Sequence, residues 1–284
     1  MAESFTGGIE RKKQEPAGKD FCQMDPALLK ESETWPVNDY GAMAGVYDEA
    51  MGADIAAIIA PMHTQIMGSK LASARVLDVC CGTGSYLRAL AHVAPNAELV
   101  GIDLSTQQIA AAKEKGRDIS YVVGDATQVE FPGQCDFVTM NLDTMNHLRT
   151  PEDWETVQGK IYRALKPDGL FLFDINTQKR LARDLNFPEV IVKSDMRLID
   201  LGVSVETMGE FIRQTHLMLA FKRMPDDTWR EHHARIQHIA PSEEHLYQML
   251  GEAGFSSWQE IPLSEEERGK HIFLKNRLFI KARK

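Results

Sequence analysis

VLDVCCGTGSY, residues 76–86, is the stretch that decides the fold. A short apolar run leads into two cysteines and a Gly-x-Gly turn, and a helical pattern starts directly afterwards. A glycine turn between a buried strand and a helix lets a ligand approach the backbone, and the helix N-terminus offers free N–H groups. The stretch therefore predicts the first strand of an α/β sheet with a nucleotide-like ligand at its end.

Several common ligand sites do not fit these residues. A dinucleotide fingerprint needs a third glycine where Leu87 stands, and the Gly-Lys-Ser/Thr of a phosphate loop does not follow. Adjacent Cys80 and Cys81 lack the C-x-x-C spacing of a zinc site, so we interpret them as structural and expect no metal. Asp78 lies in the strand itself, where a carboxylate repels pyrophosphate and favours a ligand with an ammonium group.

The surrounding pattern is that of a parallel sheet. Between residues 75 and 178, short apolar runs alternate with helical stretches, and the segment KPDG at 166–169 predicts a turn. The predicted strands are RVLDVC, AELVGID, ISYVVGD, CDFVTMN and GLFLFDIN, and the helices are SYLRALAHV, STQQIAAAKEKG and PEDWETVQGKIYRAL. Alternation with short connections predicts right-handed βαβ units.

The flanking segments have different patterns. Residues 1–34 are polar and without apolar periodicity, which predicts a flexible arm, and residues 35–72 predict a helical lid in which Pro61 breaks the helix or begins a turn. Residues 190–240 predict long strands around the turn MPDDTW, hence an antiparallel insertion over the pocket. A capped helix and two closing strands complete the chain.

Composition limits the function classes. The chain has 284 residues, 43% of them hydrophobic, and a formal net charge of −9, so it can bury a full core while its average surface repels nucleic acid and anionic membranes. Only four cysteines are present, with no apolar run of about 20 residues and no secretory signal pattern. We expect a cytoplasmic protein with a small-molecule substrate, no nucleic acid and no membrane; a homodimer is left open.

Four landmarks in order resemble the class I S-adenosylmethionine-dependent methyltransferases. VLDVCCGTGSY resembles the family's first motif with Cys80 in place of the common glycine, and LVGIDLS, VVGDATQVEF and ALKPDGLFLFDIN follow in the family's order. The resemblance covers roughly residues 40–284. It implies a Rossmann-like sheet of seven mostly parallel strands flanked by helices, a methyltransferase domain at residues 73–284, and S-adenosylmethionine as the cofactor.

The resemblance also implies a cofactor-binding set. Asp103 is expected to accept the ribose hydroxyls, Asp125 and Ala126 to meet the adenine amino group, and the glycine turn to hold the amino acid end. A surface role for Asp103 and an Asx-turn role for Asp125 are the alternatives. The whole set is Tyr47, Asp78, Cys80, Gly82, Thr83, Gly84, Asp103, Leu104, Asp125, Ala126 and Asn141.

The stretch after the fourth strand bears on the acceptor. NLDTMNHL, residues 141–148, lacks the Asp-Pro-Pro-Tyr type tetrad of adenine and amide methyltransferases and resembles small-molecule N-methyltransferases, including those acting on amino sugars. The implied acceptor is a nitrogen or an oxygen of a small metabolite. Asp143 and His147 share a face if this stretch is helical, and His147 is a candidate base or substrate partner. A solvent-facing His147 is the alternative.

Two other segments supply candidates for the acceptor site. DYGAMAGVYDEAM, residues 39–51, resembles the family's lid, so Tyr40 joins His147 and Asp143 as a catalytic candidate. In REHHARIQH, residues 230–238, alternation places His233 and Arg235 on an ion-rich face that either lines a polar pocket or is a solvated edge. The substrate-binding candidates are Asn146, Asn176, His233 and Arg235.

Two further function classes remain open. One is a protein or tRNA methyltransferase, which would need a basic or peptide-wide groove beside the methyl site. The other is a catalytically silent S-adenosylmethionine-binding subunit that regulates a partner.

Overall fold

The computed structural model describes residues 26–38, 40–43, 46, 48–116, 118–184, 188–270, 274 and 277–284. Most of the predicted arm and the candidate Tyr47 lie outside the described residues. The chain divides into two units, residues 1–35 and 36–284. In the first unit, the structure describes the helix α1 (Pro26–Ser32); everything below concerns the second unit.

Eleven strands are present among the described residues. In chain order they are β1 (Arg75–Val79), β2 (Glu98–Asp103), β3 (Ser120–Val123), β4 (Cys135–Met140), β5 (Leu165–Asn176), β6 (Glu189–Val192), β7 (Met196–Met208), β8 (Phe211–Arg223), β9 (Trp229–Pro241), β10 (Ser257–Glu260) and β11 (Arg277–Arg283).

Seven of these strands form the central sheet in the order β10-β11-β5-β4-β1-β2-β3. The strands β1 to β5 pair in parallel, whereas β11 runs antiparallel to both β5 and β10. This confirms the predicted seven-stranded, mostly parallel sheet. Its carboxyl ends at β1, β2 and β4 meet at one edge, which is where a doubly wound sheet binds its ligand.

The flanking helices are α2 (Ala53–Met67), α3 (Ser85–Val93), α4 (Thr106–Glu114), α5 (Pro151–Ala164), α6 (Gln178–Asp184), α7 (Glu243–Glu252) and α8 (Glu265–Gly269). Ser105 caps α4 by accepting from the Gln108 amide, and Thr150 with Asp153 forms a capping box for α5. These side chains fix where the two helices begin, directly beside the edge that binds ligand.

Two local predictions were wrong. The helix α2 continues through Pro61 instead of breaking there. Pro61 is exposed, so water can reach the carbonyl that has lost its partner. The KPDG segment belongs to β5 as an irregularity in its pairing with β4, with Asp168 in the left-handed region at φ 61°. A bulge absorbs the extra residues without ending the strand.

The insertion between α6 and α7 is a separate antiparallel sheet in the order β6-β7-β8-β9. A turn at residues 224–228, closed by the Met224 amide and the Thr228 carbonyl, joins β8 to β9. The insertion spans Glu189 to Pro241, within one residue of the predicted 190–240. In β9, the alternate residues Ala234, Ile236 and His238 are buried, so this face of the strand is turned inward.

Candidate active site

The glycine turn after β1 requires unusual backbone angles. Gly82 and Gly84 have φ of 56° and 74°. A Cβ on Gly84 would lie 2.7 Å from Cζ of Tyr121, so a larger residue does not fit. Cys80 has a φ of 59°, the left-handed region that costs a residue with a side chain about 1 kcal/mol or more. The one departure from the family's glycine pattern therefore stands where glycine is conformationally preferred.

Asp103, at the end of β2, holds this turn. Its Oδ2 accepts from the Gly82 amide at 2.8 Å, and its Oδ1 accepts from the Ser105 amide at 2.9 Å. Burial raises the pKa of Asp103, while the two amide hydrogen bonds favour the ionised form. The carboxylate thus binds the backbone of two loops and still lines the cavity beside them.

A cavity of about 580 Å³ opens at this edge of the sheet, within the usual size range of cofactor sites. Four of its polar atoms are buried and lack a hydrogen-bond partner among the described residues: Gln108 Oε1, Asn141 Oδ1, Thr144 Oγ1 and His147 Nδ1. Buried polar atoms are normally paired, so these atoms fit a polar ligand. The predicted residues that line the cavity are Tyr40, Cys80, Gly82, Thr83, Asp103, Leu104, Asp125, Ala126, Asn141 and His147.

Asp125 makes the Asx turn considered for it and also lines the cavity, while its contact with adenine stays a prediction. Its Oδ1 accepts from the Thr127 amide at 2.8 Å and from the Thr127 hydroxyl at 2.7 Å, which is an Asx turn. The same residue lines the cavity with Ala126. The turn therefore orients Asp125 at the end of β3, and its second carboxylate oxygen is not used by that turn.

Asp78 lies one layer below the cavity. It is 3% exposed and accepts from Thr139 Oγ1 at 2.6 Å and from Asn141 Nδ2 at 3.3 Å. Burial raises the pKa of Asp78 to about 7. Neither Asp78 nor Gly84 is among the described lining residues, so Asp78 acts on the cavity through Asn141 and through its charge.

The turn after β4 is strained and is clamped from two strands. Leu142 and Asp143 both have positive φ, 63° and 52°. Asp174 on β5 accepts from both of their amides at 2.8 and 2.9 Å. Arg277 on β11 contacts Asp174 at 2.8 Å and Asp143 at 3.1 Å. A buried carboxylate and a guanidinium thus stabilise a backbone that would otherwise be costly.

A second, smaller cavity adjoins the first and is called the inner chamber here. It offers about 30 Å³ of free space, and Tyr40 and Leu142 line both cavities. Its charged lining consists of three carboxylates and two guanidinium groups, with two histidines between them. These residues are Asp143, Glu189, Asp200, Arg180, Arg277, His216 and His238.

Three histidines and a tyrosine meet where the two cavities adjoin. His147 Nε2 lies 3.3 Å from the Tyr40 hydroxyl and 3.2 Å from His238 Nε2. The rings of His238 and His216 have centroids 4.6 Å apart, and His216 Nδ1 contacts Asp200. Burial lowers the pKa of His147 to about 4 and that of His238 well below its usual value, so both rings are neutral at pH 7.

Asp143, His147 and His238 have donor atoms within 4.8 Å of one another, as in a metal site. Asp143 is already engaged by Arg277 at 3.1 Å and by Asn176 Nδ2 at 2.5 Å. A guanidinium in contact with the only carboxylate of the trio opposes a dication at this point. We therefore keep the expectation of no metal and give it a test below.

Three substrate-binding candidates lie elsewhere than expected. Asn146 is fully buried, and its amide is consumed by the Asn176 backbone and the Ile239 carbonyl, so it joins the turn to β5 and β9. His233 is 42% exposed beside Glu231, and neither it nor Arg235 lines a described cavity. The opposite face of β9 is the one turned inward. Asn176 does line the inner chamber.

Two described residues of the segment before α2 make polar contacts at this site. Asn38 Nδ2 donates to the His147 carbonyl at 3.3 Å and to the Gln237 carbonyl at 3.1 Å. Asp48 contacts the Thr83 hydroxyl and accepts from Arg88 at 3.0 Å. Asn38 is thus held on the insertion side and Asp48 on the glycine turn, while the lid at residues 35–72 stays a prediction.

Sequence reasoning missed several residues of this site. His216 and His238 lie within a strand pattern and Arg277 lies on a closing strand, so none had a motif to mark it. Asp174 stands in the quoted run GLFLFDIN, and an acid in an apolar strand was the available signal.

Comparison with known proteins agrees with this geometry. Residues 76–169 match the model of a methyltransferase domain. The protein YqeM of Bacillus subtilis, whose name places it among methyltransferases, is 33% identical over 147 residues, which cover 50% of this chain and 58% of YqeM. The chain thus spans a little over half of that relative. The demethylmenaquinone methyltransferase of Geobacillus kaustophilus is 34% identical over 205 residues, covering 70% of this chain and 77% of that protein.

Solved structures show the same fold. An S-adenosylmethionine-dependent methyltransferase of Clostridium acetobutylicum has a TM-score of 0.66 at 18% identity, covering 87% of this chain and 99% of that one. The amino pentose methyltransferase CalS10 of Micromonospora echinaspora, solved with S-adenosylmethionine bound, has a TM-score of 0.62 at 20% identity, covering 84% and 97%. The chain belongs to the S-adenosylmethionine-dependent methyltransferases, and its cofactor is that of the family.

Among the described residues, no helix is long and apolar enough to cross a membrane.

Proposed function

We propose that the protein transfers a methyl group from S-adenosylmethionine to the nitrogen of a small-molecule amine. The observation that carries this proposal is the inner chamber, which adjoins the cofactor cavity and shares Tyr40 and Leu142 with it. Because Tyr40 and Leu142 form a wall common to both cavities, an acceptor amine that reaches this wall would lie next to the cofactor. The likeness to CalS10 supports an amine, since that enzyme is an amino pentose methyltransferase.

The charge of the chamber supports a cationic acceptor. Three carboxylates face two guanidinium groups there, and His238 is neutral at pH 7. The carboxylates that line the chamber thus outnumber its guanidinium groups, which favours an ammonium group. Asn176 Oδ1, which is buried and without a partner among the described residues, can accept a hydrogen bond from the amine.

The chain's own residues bind the cofactor, orient the acceptor and remove its proton. When bound, the cofactor supplies an activated methyl group whose leaving sulfur departs as a neutral thioether. Asp103, Asp125 and Asn141 hold the cofactor by the polar atoms that line its cavity. The amine nitrogen gives its electron pair to the new bond and must lose one proton, and His147 is the neutral base that lines the cavity at this point.

Radiolabelled cofactor and a metabolite extract test the proposal. Protein from which endogenous ligands have been removed is incubated with methyl-labelled S-adenosylmethionine and a cell extract that retains its small metabolites, and the mixture is then divided by ultrafiltration. We expect label in the small-molecule fraction, on a product that a mass spectrum shows to be heavier by one methylene and to fragment at nitrogen.

Other outcomes identify the competing functions. Label in protein or tRNA would identify a macromolecule methyltransferase, and label on oxygen of a metabolite would replace the amine with a hydroxyl acceptor. Cofactor binding without any labelled product would indicate the silent subunit. Native mass spectrometry of the purified protein adds an independent check, because a retained acceptor would be detected by its mass.

A further inference from the structure

His147 has a difficulty as a base, because burial lowers the pKa of its ring to about 4. An isolated imidazole with so low a proton affinity accepts a proton poorly from a methylated amine. The neighbouring groups must therefore stabilise the protonated form of the ring if His147 is to act as a base. Those that face the ring are Tyr40 from the segment before α2, Asp143 from the turn after β4, His238 from β9, His216 from β8, and Arg277 from β11.

The contact between His147 and His238 restricts where protons can be. The two Nε2 atoms lie 3.2 Å apart, and two bare nitrogens repel at that distance, so one of them carries a hydrogen. His147 Nδ1 is buried without a partner among the described residues, and His147 lines the cofactor cavity. An unpaired group at this Nδ1 is costly in either form, but a bare nitrogen can accept from the N–H of an amine in the cavity, whereas a hydrogen there cannot. The arrangement favours the tautomer with the hydrogen on Nε2 of His147.

We propose that His238 is a positioning residue that holds His147 in the tautomer with a bare Nδ1, and that this Nδ1 takes the proton of the acceptor amine. In this arrangement His147 donates its Nε2 hydrogen to His238 Nε2. The proton lost by the amine joins Nδ1, so that the ring becomes an imidazolium. No other bond changes in this step, and the insertion contributes to proton transfer as well as to the walls of the chamber.

Carboxylates on both sides compensate the new charge. Asp143 Oδ2 lies 3.7 Å from His238 Nε2, and Asp143 is the group whose charge raises the pKa of His147. Asp200 contacts Nδ1 of His216, whose ring packs against that of His238. A pair of histidines between carboxylates behaves as one proton-accepting unit and titrates as a pair. The positive charges that oppose it are His216, then Arg277 and Arg180.

The tautomer is measured first, because it does not depend on the acceptor. Protein labelled with ¹⁵N in histidine is studied by long-range ¹H–¹⁵N correlation, and His147 is assigned with the His147→Asn variant. We expect the bare Nδ1 pattern in the wild type. In His238→Met, whose thioether is only a weak hydrogen-bond acceptor, we expect a mixture of tautomers. His238→Gln retains an acceptor oxygen and is expected to restore the wild-type pattern.

Turnover with the amine acceptor is measured on the same variants, and this part of the test rests on the proposed function. His238→Met should lower kcat by about 10-fold to 100-fold with little change in KM. His238→Gln should recover most of the rate. His232→Gln, on the same strand and further from the chamber, should match the wild type.

Two results would overturn the inference. One is a wild-type His147 with its hydrogen on Nδ1. The other is a folded His238→Met variant, verified by circular dichroism, with unchanged tautomer and unchanged kcat. Failure of the proposed function is a different result: no amine would be methylated by the wild type, while the tautomer measurement would still stand.

Discussion

The cofactor cavity and the inner chamber are assembled in different ways. Apart from Asn38 and Tyr40, the described wall of the cofactor cavity comes from residues 80–153, at the ends of successive parallel strands. The inner chamber takes its wall from short pieces spread between Tyr40 and Arg277, including all four strands of the insertion. A continuous stretch forms the cavity that we assign to the cofactor, and dispersed side chains form the chamber that we propose for the acceptor.

This difference has an energetic side. In the cofactor cavity, the Asp103 carboxylate accepts hydrogen bonds from two backbone amides and so fixes the loops around it. Beside the chamber, Arg277 and Asp174 stabilise the strained turn that contains Asp143, a residue with positive φ. Changes in the first region should therefore alter cofactor affinity, whereas changes in the second should alter turnover. The predictions below use that separation, beginning with the largest effect.

Replacement of His147 should have the largest effect. His147→Asn should lower kcat on the order of 10²-fold or more with cofactor affinity nearly unchanged, because the proton acceptor is lost while the cofactor's contacts remain. Because the pKa of His147 lies at about 4, an acid limb at higher pH belongs to the acceptor amine and should persist in the variant. His92→Asn, on an exposed position, is the control. Full activity would remove His147 from the site.

Replacement of Asp103 should affect the cofactor cavity. Asp103→Ala removes a charged acceptor, which is worth about 1.5–3 kcal/mol, so the calorimetric Kd for S-adenosylmethionine should rise roughly 10-fold to 150-fold. Asp118→Ala, an exposed carboxylate outside the cavity, should leave the Kd unchanged. An unchanged Kd in a folded Asp103→Ala protein would contradict the assignment.

Cofactor binding should release a proton from Asp78. Burial raises the pKa of this carboxyl to about 7, so about half of the free protein is protonated at pH 7. The cofactor's ammonium group favours the ionised form and lowers that pKa, so affinity should fall as the pH drops below 7. Calorimetry in buffers of different ionisation enthalpy measures the proton directly.

Two variants separate this effect from other carboxyls. Asp78→Asn should abolish the proton release and flatten the pH dependence of affinity. Asp136→Asn changes a carboxyl at the opposite end of the sheet and should preserve both. Release that is undiminished in Asp78→Asn would assign the proton to another group.

The smallest expected effect is at Cys80. Cys80→Gly relieves a positive φ of 59° and should leave the free energy of unfolding unchanged or raise it by about 1 kcal/mol, with cofactor still bound. The matched change Cys135→Gly, in the buried strand β4, should be destabilising. Treatment with a chelator should leave activity intact. Stoichiometric metal in an elemental analysis would contradict the structural interpretation of Cys80 and the absence of a metal at His147 and His238.

The cofactor region could be predicted because its information is local. The run from Asp78 to Gly84 encodes a strand, a turn and a helix start within a few residues, and Asp103 follows at a regular distance. The chamber could not be predicted in this way. His238 and Arg277 are far apart in the sequence, and their meeting depends on how the insertion packs on the central sheet. For β9, alternation gave the two faces correctly but did not tell which one turns inward.

A crystal structure with S-adenosylhomocysteine and the amine acceptor tests the central claim most directly. We expect the cofactor product in the cavity beside Asp103, and the acceptor nitrogen within hydrogen-bonding distance of His147 Nδ1, near the wall that this cavity shares with the inner chamber. The chamber's free space of about 30 Å³ admits only a small polar group of the acceptor. An acceptor whose nitrogen is remote from His147 would contradict the account.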